Sequence, residues 1–147
     1  MVSHRFIKIV LFCLLCLLSP SGAPADAKLS TSSSDRLIRQ QDELSALWSF
    51  YRQIYIRDGR LISLDEQGIT TSEGQGYALL RAVWSNDRRT FEEVWRWTHT
   101  YLQVRPDKLF AWKWKGKVLS LDAATDADTD IALALILAAR RFDVPRY

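Results

Sequence analysis

Thr71–Tyr77 reads TSEGQGY, and the chain continues to Trp84 as an almost uninterrupted apolar run, YALLRAVW. Ser72 and Gln75 match the capping box S-x-x-Q, with Ser72 as the N-cap and Gln75 reaching back to it. Because the residues that follow are apolar on nearly every side, the helix is predicted to be buried, with its first turn at a surface or cleft. Glu73 lies in that turn beside two glycines, which would let a ligand approach the backbone. An ordinary helix start with an acidic first turn explains the same pattern.

A second stretch repeats this design further along the chain. Residues 124–132 read ATDADTDIA, and a dense apolar run follows over residues 131–139. Thr125 is the predicted N-cap, and Asp128 completes a pair that resembles a capping box. Two helices that each carry carboxylates at the N-terminus can direct them into one shared depression, so the two stretches together favour a site over two unrelated caps.

The two motifs together resemble those of glycoside hydrolase family 8, in particular the secreted endoglucanases, including those that accompany bacterial cellulose synthases. The resemblance rests on SEGQGY before an apolar helix and on ATDADTDIALALILAARRF later in the chain, and it covers residues 59–142. It implies that Glu73 is the general acid and that Asp126 holds the distorted sugar ring at the cleavage point. It also implies that Tyr77, Trp112 and Trp114 contact substrate.

The implied reaction is the hydrolysis of β-1,4-glycosidic bonds in a glucan such as cellulose. Such a reaction needs one carboxylic acid to protonate the departing oxygen and one carboxylate to activate water or stabilise the sugar cation. The positive end of a helix favours an ionised carboxylate, whereas a general acid must carry a proton near the working pH. A nearby anion such as Asp126 would favour the protonated acid. The two helix starts are therefore predicted to converge, with the carboxyl groups of Glu73 and Asp126 within roughly 10 Å.

The family inverts the anomeric centre, so a separate general base is implied, and no residue up to Tyr147 matches it. The resemblance therefore predicts an N-terminal piece of the enzyme, which alone would be inactive. The exact glycan stays open between cellulose, mixed-linkage glucan, xylan and chitosan. An alternative is a non-catalytic, glycan-binding remnant of such an enzyme. Finding coding sequence beyond Tyr147, with an Asp in a loop, would separate the two.

An aromatic segment supports glycan binding. Residues 109–119 read LFAWKWKGKVL, so Phe110, Trp112 and Trp114 alternate with smaller or charged residues. In an extended segment this spacing puts the three rings on one face. Flat indoles with a polar N–H at the rim suit the C–H faces of pyranose rings. The core face of a strand explains the pattern equally well, but in the family a tryptophan at the position of Trp112 stacks on glucosyl units.

Four helices are predicted, at about residues 35–56, 73–84, 88–102 and 126–142, from apolar residues at spacings of three, four and seven. The first is predicted to turn Leu37, Leu44, Leu47 and Trp48 towards a core, and Asp58-Gly59 to end it. The fold class is all-α. By resemblance it is a partial (α/α)6 barrel, about four helices of the twelve, with a short Trp-rich extended segment.

The N-terminus has the organisation of a secretory signal peptide over residues 1–27. A basic start precedes the apolar run IVLFCLLCLL, and Ala25-Asp26-Ala27 matches a cleavage site. The run is too short to span a bilayer, so no stable membrane anchor is expected after cleavage. Residues 28–34 form a polar linker, and residues 35–147 form the N-terminal part of the catalytic domain. The expected location is secreted or periplasmic.

Composition narrows the remaining classes of function. Both cysteines, Cys13 and Cys16, fall in the predicted signal peptide, so no disulfide framework or thiolate site is expected in the mature chain. The net charge of +3 is too small and too evenly spread to indicate nucleic acid. The aspartates after residue 125 open like an EF-hand, but Ile131 and Leu137 occupy its Gly and Glu positions.

No metal or other cofactor is predicted. The runner-up enzyme class is an Asp-rich helix that binds magnesium diphosphate, although such motifs lie inside a helix rather than at its start. The expected partner is a β-glucan polysaccharide, and the resemblance adds a cellulose synthase complex.

Overall fold

The computed structural model describes residues 32–147, so the predicted signal peptide and most of the predicted linker lie outside the described residues. Four helices and five short strands follow in this order: α1 Ser33–Tyr55, β1 Ile56–Arg57, β2 Arg60–Leu61, β3 Thr70–Thr71, α2 Ser72–Trp84, α3 Arg88–Tyr101, β4 Lys113–Trp114, β5 Val118–Ser120 and α4 Thr125–Arg141. The four predicted helices are confirmed, each boundary within two residues. No helix in this part of the chain combines the length and apolar character needed to cross a membrane.

The core forms where α2 packs against α3 and α4. Small residues are fully buried on both packed helices, Ala78 and Ala82 on α2 and Ala134 and Ala138 on α4. Larger side chains fill the remaining space, and each fully buried one contributes roughly 1.5–3 kcal/mol. The largest fully buried apolar side chains are Phe91, Leu79, Leu102, Ile131, Val83 and Val94. The apolar run after Glu73 is therefore the central helix of the molecule, as its composition predicts.

A tight hairpin joins α1 to the rest of the chain. Asp58 and Gly59 both have positive φ, 51° and 79°, as a two-residue turn between antiparallel strands requires. A β-carbon on Gly59 would come 2.4 Å from the backbone oxygen of Glu93, so only glycine fits where the turn meets α3. The prediction that Asp58-Gly59 ends the helix is wrong, because α1 already ends at Tyr55 and the pair turns one strand into the next.

A three-stranded antiparallel sheet supports the start of α2. β4 lies in the middle, with Thr71 of β3 opposite Lys113 on one side and β5 on the other. Because Thr71 directly precedes α2, this pairing fixes the direction in which the helix leaves the sheet. The aromatic segment and the Glu73 motif are thereby neighbours in space.

The first helix is only partly packed. Trp48 is its buried residue, and the indole Nε1–H donates a 2.9 Å hydrogen bond to Asp87, the N-cap of α3. Leu37, Leu44 and Leu47 are exposed, so the prediction that they face a core is wrong for the described residues. The described helices do not close a barrel.

Candidate active site

The helix that carries Glu73 is capped by Thr71. The Thr71 hydroxyl accepts a 3.1 Å hydrogen bond from the Gly74 N–H, and Thr71 has extended backbone angles because it belongs to β3. The prediction that Ser72 is the N-cap is therefore wrong by one residue. Ser72 is the first residue of α2, and its side chain is buried. Strand pairing decides between two adjacent residues that are both good caps.

Gln75 also differs from its predicted role. Instead of reaching back to a cap, its fully buried amide links three elements. Its Oε1 accepts a 2.6 Å bond from the Leu61 N–H, and its Nε2 donates to the Gly59 carbonyl at 3.0 Å and to the Thr98 hydroxyl at 2.7 Å. A buried amide with its donors and acceptor satisfied holds its surroundings in one arrangement. The first turn of α2 is thereby tied to the β1–β2 hairpin and to α3.

Glu73 is half-buried and bonded to Tyr77 one turn later. The Tyr77 hydroxyl donates a 2.9 Å hydrogen bond to Oε1 of Glu73. Burial is the largest cause that raises the pKa of Tyr77 to about 12, and the hydrogen bond to Glu73 is the next. The negative charges of Glu73, Asp130 and Asp126 raise it further. The phenol therefore stays protonated at any ordinary working pH, and carboxylates from both helix starts act on it.

The start of α4 is built differently from its prediction. Its N-cap is Ala124, which has no side-chain cap bond, and Thr125 is the first helical residue. Asp128 closes no capping pair. Its Oδ1 instead accepts a 2.9 Å bond from the Phe110 N–H, which attaches the aromatic segment to α4. The sequence pattern resembles a capping box, but the Asp128 carboxylate bonds to the backbone of a segment elsewhere in the fold.

The two helix starts meet at Gly76. A β-carbon at this position would lie 3.2 Å from Cβ of Asp130 and 3.6 Å from the Ala127 carbonyl oxygen. The expectation that the glycines admit a ligand is wrong, since Gly76 faces α4 and a β-carbon on Gly74 would lie 2.6 Å from the Leu61 side chain. Their small size brings protein neighbours together instead. Asp126 is exposed, in the first turn of α4, and its Oδ1 accepts a bond from the Ala127 N–H.

Trp112 lies directly beside this junction. Its carbonyl accepts a 3.0 Å bond from the N–H of Ser72, the residue before Glu73. Its side chain is 39% exposed, and the Lys113 ammonium lies 5.2 Å from the ring centroid. A partly exposed indole is thus anchored through its own backbone at the start of α2.

The predicted wall of three aromatic rings is not formed. Phe110 is buried and packs edge-on against Trp95. Trp114 is half-buried and packs against Trp97 and Tyr101. The alternation fails because the extended strand starts only at Lys113 and its pairing with β5 shifts between Lys113 and Trp114.

Two features of the site were not predicted from sequence. The bond between Tyr77 and Glu73 follows from their i,i+4 spacing, which places both side chains on one helix face. The place of Asp130 beside Gly76 is a long-range contact, and no local pattern signals it. Over residues 32–147, no group of three or more His, Cys, Asp or Glu side chains is arranged to hold a metal ion.

Comparison with known proteins identifies the family. The model described as "Glycosyl hydrolases family 8" matches residues 22–147. The chain belongs to this family. Similar proteins include a probable endoglucanase of Novacetimonas hansenii, 36% identical over 135 residues, and an endoglucanase of Escherichia coli K12, 36% identical over 110 residues. The matches cover 88% and 68% of this chain but only 40% and 30% of the two relatives.

A solved structure of the family has the same arrangement of elements. The endo-beta-1,4-glucanase CMCax from Acetobacter xylinum is 40% identical, with a TM-score of 0.67 over 71% of this chain and 34% of that chain. The resemblance to glycoside hydrolase family 8 is therefore confirmed, and the four helices correspond to part of its (α/α)6 barrel. The chain spans less than half the length of these relatives.

Proposed function

We propose that these residues take part in the hydrolysis of β-1,4-glycosidic bonds in a glucan such as cellulose, in the manner of an endoglucanase. The observation that carries the proposal is the meeting of two helix starts at Gly76, where Tyr77 bonds to Glu73 and the charges of Asp126 and Asp130 are near enough to raise the pKa of Tyr77. Family 8 membership and relatives named endoglucanases support the same reaction.

In this proposal Glu73 is the general acid. Its carboxylic acid gives a proton to the departing glycosidic oxygen while the bond to the anomeric carbon breaks. After the transfer, the Tyr77 hydroxyl, 2.9 Å from Oε1, stabilises the carboxylate that forms.

Asp126 has a separate role. On the first turn of α4 it accepts hydrogen bonds from the sugar ring at the cleavage point and stabilises the positive charge that develops there. In an inverting reaction, water attacks from the opposite face and loses its proton to a base. We assign that base to no residue of this chain.

Trp112 provides the stacking surface. Its exposed ring offers apolar area to one face of a glucosyl unit, and the Lys113 ammonium, 5.2 Å from the ring centroid, offers donors to hydroxyl groups. Trp114 packs against Trp97 and Tyr101, and this proposal assigns it no contact with substrate.

The alternative is binding of glycan without cleavage. The exposed Trp112 favours it, because stacking needs no base. The experiment is to express the complete gene product and measure both binding of a soluble β-glucan and release of reducing ends from carboxymethyl cellulose. Binding with release supports the hydrolase, and binding without release supports the alternative. A protein that neither binds nor cleaves glucan would contradict both the hydrolase and the binding alternative.

Export is part of the proposal. Residues 1–27 direct the chain to the periplasm or the exterior, where polysaccharide substrates occur. In that location the protein would associate with a cellulose synthase complex. N-terminal sequencing of the exported protein should begin at or near Lys28. An intact Met1 in the soluble exported fraction would contradict signal cleavage.

A further inference from the structure

A depression of about 600 Å³ runs along one side of α3, on residues that belong to no part of the candidate active site. We call it the α3 groove. One wall is formed by α3 residues at helical spacing, and the opposite wall is the turn of the β1–β2 hairpin. The main lining residues are Asp58, Glu93, Arg96, Trp97, Thr100 and Tyr101.

Tyr101 gives the α3 groove an aromatic platform. The ring is 45% exposed, yet its position is fixed by neighbours on its inner side. It lies 5.0 Å from Trp97 with an interplanar angle of 32°, and it meets Trp114 edge-on at 5.9 Å. The Arg60 guanidinium packs over the Trp114 ring, 4.3 Å from its centroid. A flat ring that is already immobile loses little conformational entropy when a ligand stacks on it.

The charges around this platform cancel. Two arginines, Arg89 and Arg96, and two acids, Asp58 and Glu93, line the α3 groove, and Arg89 is paired with Glu93 at 3.1 Å. A site for a phosphorylated or nucleic acid ligand would carry excess positive charge. A neutral set of donors and acceptors beside an aromatic face instead suits an uncharged, polyhydroxylated molecule.

We infer that the α3 groove is a second binding site for a neutral β-glucan chain, separate from the cleft at Glu73. The inference rests on the proposed glucan substrate, because the same polymer is then available at both sites. One segment of the chain, residues 112–114, connects the two sites. Trp114, which packs against Tyr101, follows Trp112 by two residues in the segment that reaches the start of α2. A long chain or an insoluble surface held at Tyr101 would stay close to the cleft.

The test compares adsorption to insoluble cellulose with hydrolysis of a short soluble cello-oligosaccharide that fills only the cleft. The variants are Tyr101→Ala, Tyr101→Phe and Arg96→Ala, each in the complete gene product. Tyr101→Ala should bind cellulose about threefold to tenfold more weakly, the loss expected for one aromatic contact. Tyr101→Phe keeps the flat ring and should bind like the wild type. All three should hydrolyse the oligosaccharide at the wild-type rate.

Arg96→Ala keeps the inference testable if Tyr101→Ala fails to fold, since Arg96 is exposed and forms no ion pair with another described residue. It should weaken cellulose binding about twofold to tenfold, the range for a lost hydrogen bond. Wild-type binding by both Tyr101→Ala and Arg96→Ala would overturn the inference. So would an equal loss of binding and oligosaccharide hydrolysis, because Tyr101 would then act through Trp114 on the cleft.

The two proposals fail in distinguishable ways. Adsorption is also measured in a Glu73→Gln background, where hydrolysis is not needed for the readout. A wild-type protein that cleaves no glucan would contradict the proposed function, whereas a drop in adsorption with Tyr101→Ala in the Glu73→Gln background would still support the second site.

Discussion

The Tyr77 hydroxyl donates a 2.9 Å hydrogen bond to Oε1 of Glu73, one helical turn earlier in α2. Burial and nearby negative charge raise the pKa of Tyr77 to about 12, so this donor is present throughout the working pH range. In the proposed reaction, this donor stabilises the carboxylate that forms when Glu73 gives up its proton.

Tyr77→Phe tests this donor. The maximal rate of glucan hydrolysis should fall, because the carboxylate left after proton transfer has lost a donor. The measurement is kcat for the wild type and the variant. An unchanged kcat would mean that Tyr77 does not act on the acid.

Trp112 and Trp114 form a matched pair two residues apart. Trp112→Ala removes an exposed ring and should weaken glucan binding by about 1 kcal/mol, with little change in thermal stability. Trp114→Ala removes a half-buried ring packed between Trp97, Tyr101 and Arg60, and it should lower the free energy of unfolding by about 1–3 kcal/mol. Calorimetry with a soluble β-glucan and thermal unfolding separate the two effects. Equal binding losses in two folded variants would restore Trp114 to the substrate site.

Asp87 attaches α1 to the start of α3, and this attachment should depend on pH. Burial raises the pKa of Asp87, but hydrogen bonds from Thr90 and Trp48 and the charge of Arg52 outweigh it and leave the pKa below its ordinary value. A carboxylate with a lowered folded-state pKa contributes stability above its unfolded-state pKa and loses it as the pH falls through the folded-state pKa. This contribution should therefore be complete at neutral pH and fade in strong acid.

Asp87→Ala should destabilise the protein at neutral pH by about 0.5–2 kcal/mol, the usual cost of a lost N-cap. Asp87→Asn keeps a capping side chain but not the charge near Arg52, 3.1 Å away, so it is the control for the cap alone. Denaturant unfolding at several pH values measures both. A stability difference between wild type and Asp87→Ala that stays constant down to strong acid would contradict the linkage.

Residues 28–147 expressed alone should associate and should cleave no polysaccharide. Leu37, Leu44 and Phe50 on α1 and Ile136 on α4 are exposed, and exposed apolar patches of more than a few hundred Å² drive association. Light scattering after gel filtration, thermal unfolding and a reducing-end assay check the prediction. A cooperative monomer with clear turnover would contradict it and would require a base among Asp122, Asp128 and Asp130.

Local sequence signals predicted the helices well. The apolar run after Glu73 and the aspartates before Ile131 place α2 and α4 within one residue of their observed ends. The caps were less predictable, because Thr71 and Ser72 are chemically equivalent caps and strand pairing with Lys113 decides between them. The hairpin at Asp58-Gly59 was missed because its strands have two residues each, too few for an alternating pattern to appear.

The candidate site was predictable only in part, for a related reason. The sequence predicts that the two helix starts converge, and Gly76 of α2 does lie against Asp130 of α4. The partners of Gln75 and Asp128 are backbone groups far along the chain, so both residues resemble caps while serving as links between elements. The surroundings of Trp114 depend on a local shift in strand pairing, and no pattern in the neighbouring sequence signals that shift.

Glu73→Gln in the complete gene product tests the central claim most directly. The amide keeps the shape of the side chain but has no proton to give, so hydrolysis of a soluble β-glucan should fall by about 10²–10⁴-fold. Binding of the same glucan should persist, because Trp112 and Asp126 are unchanged. The measurement is kcat by reducing-end release together with the glucan Kd by calorimetry, on wild type and variant side by side. Lost turnover with retained binding is the predicted result, and full turnover by Glu73→Gln would contradict the assignment of Glu73 as the acid.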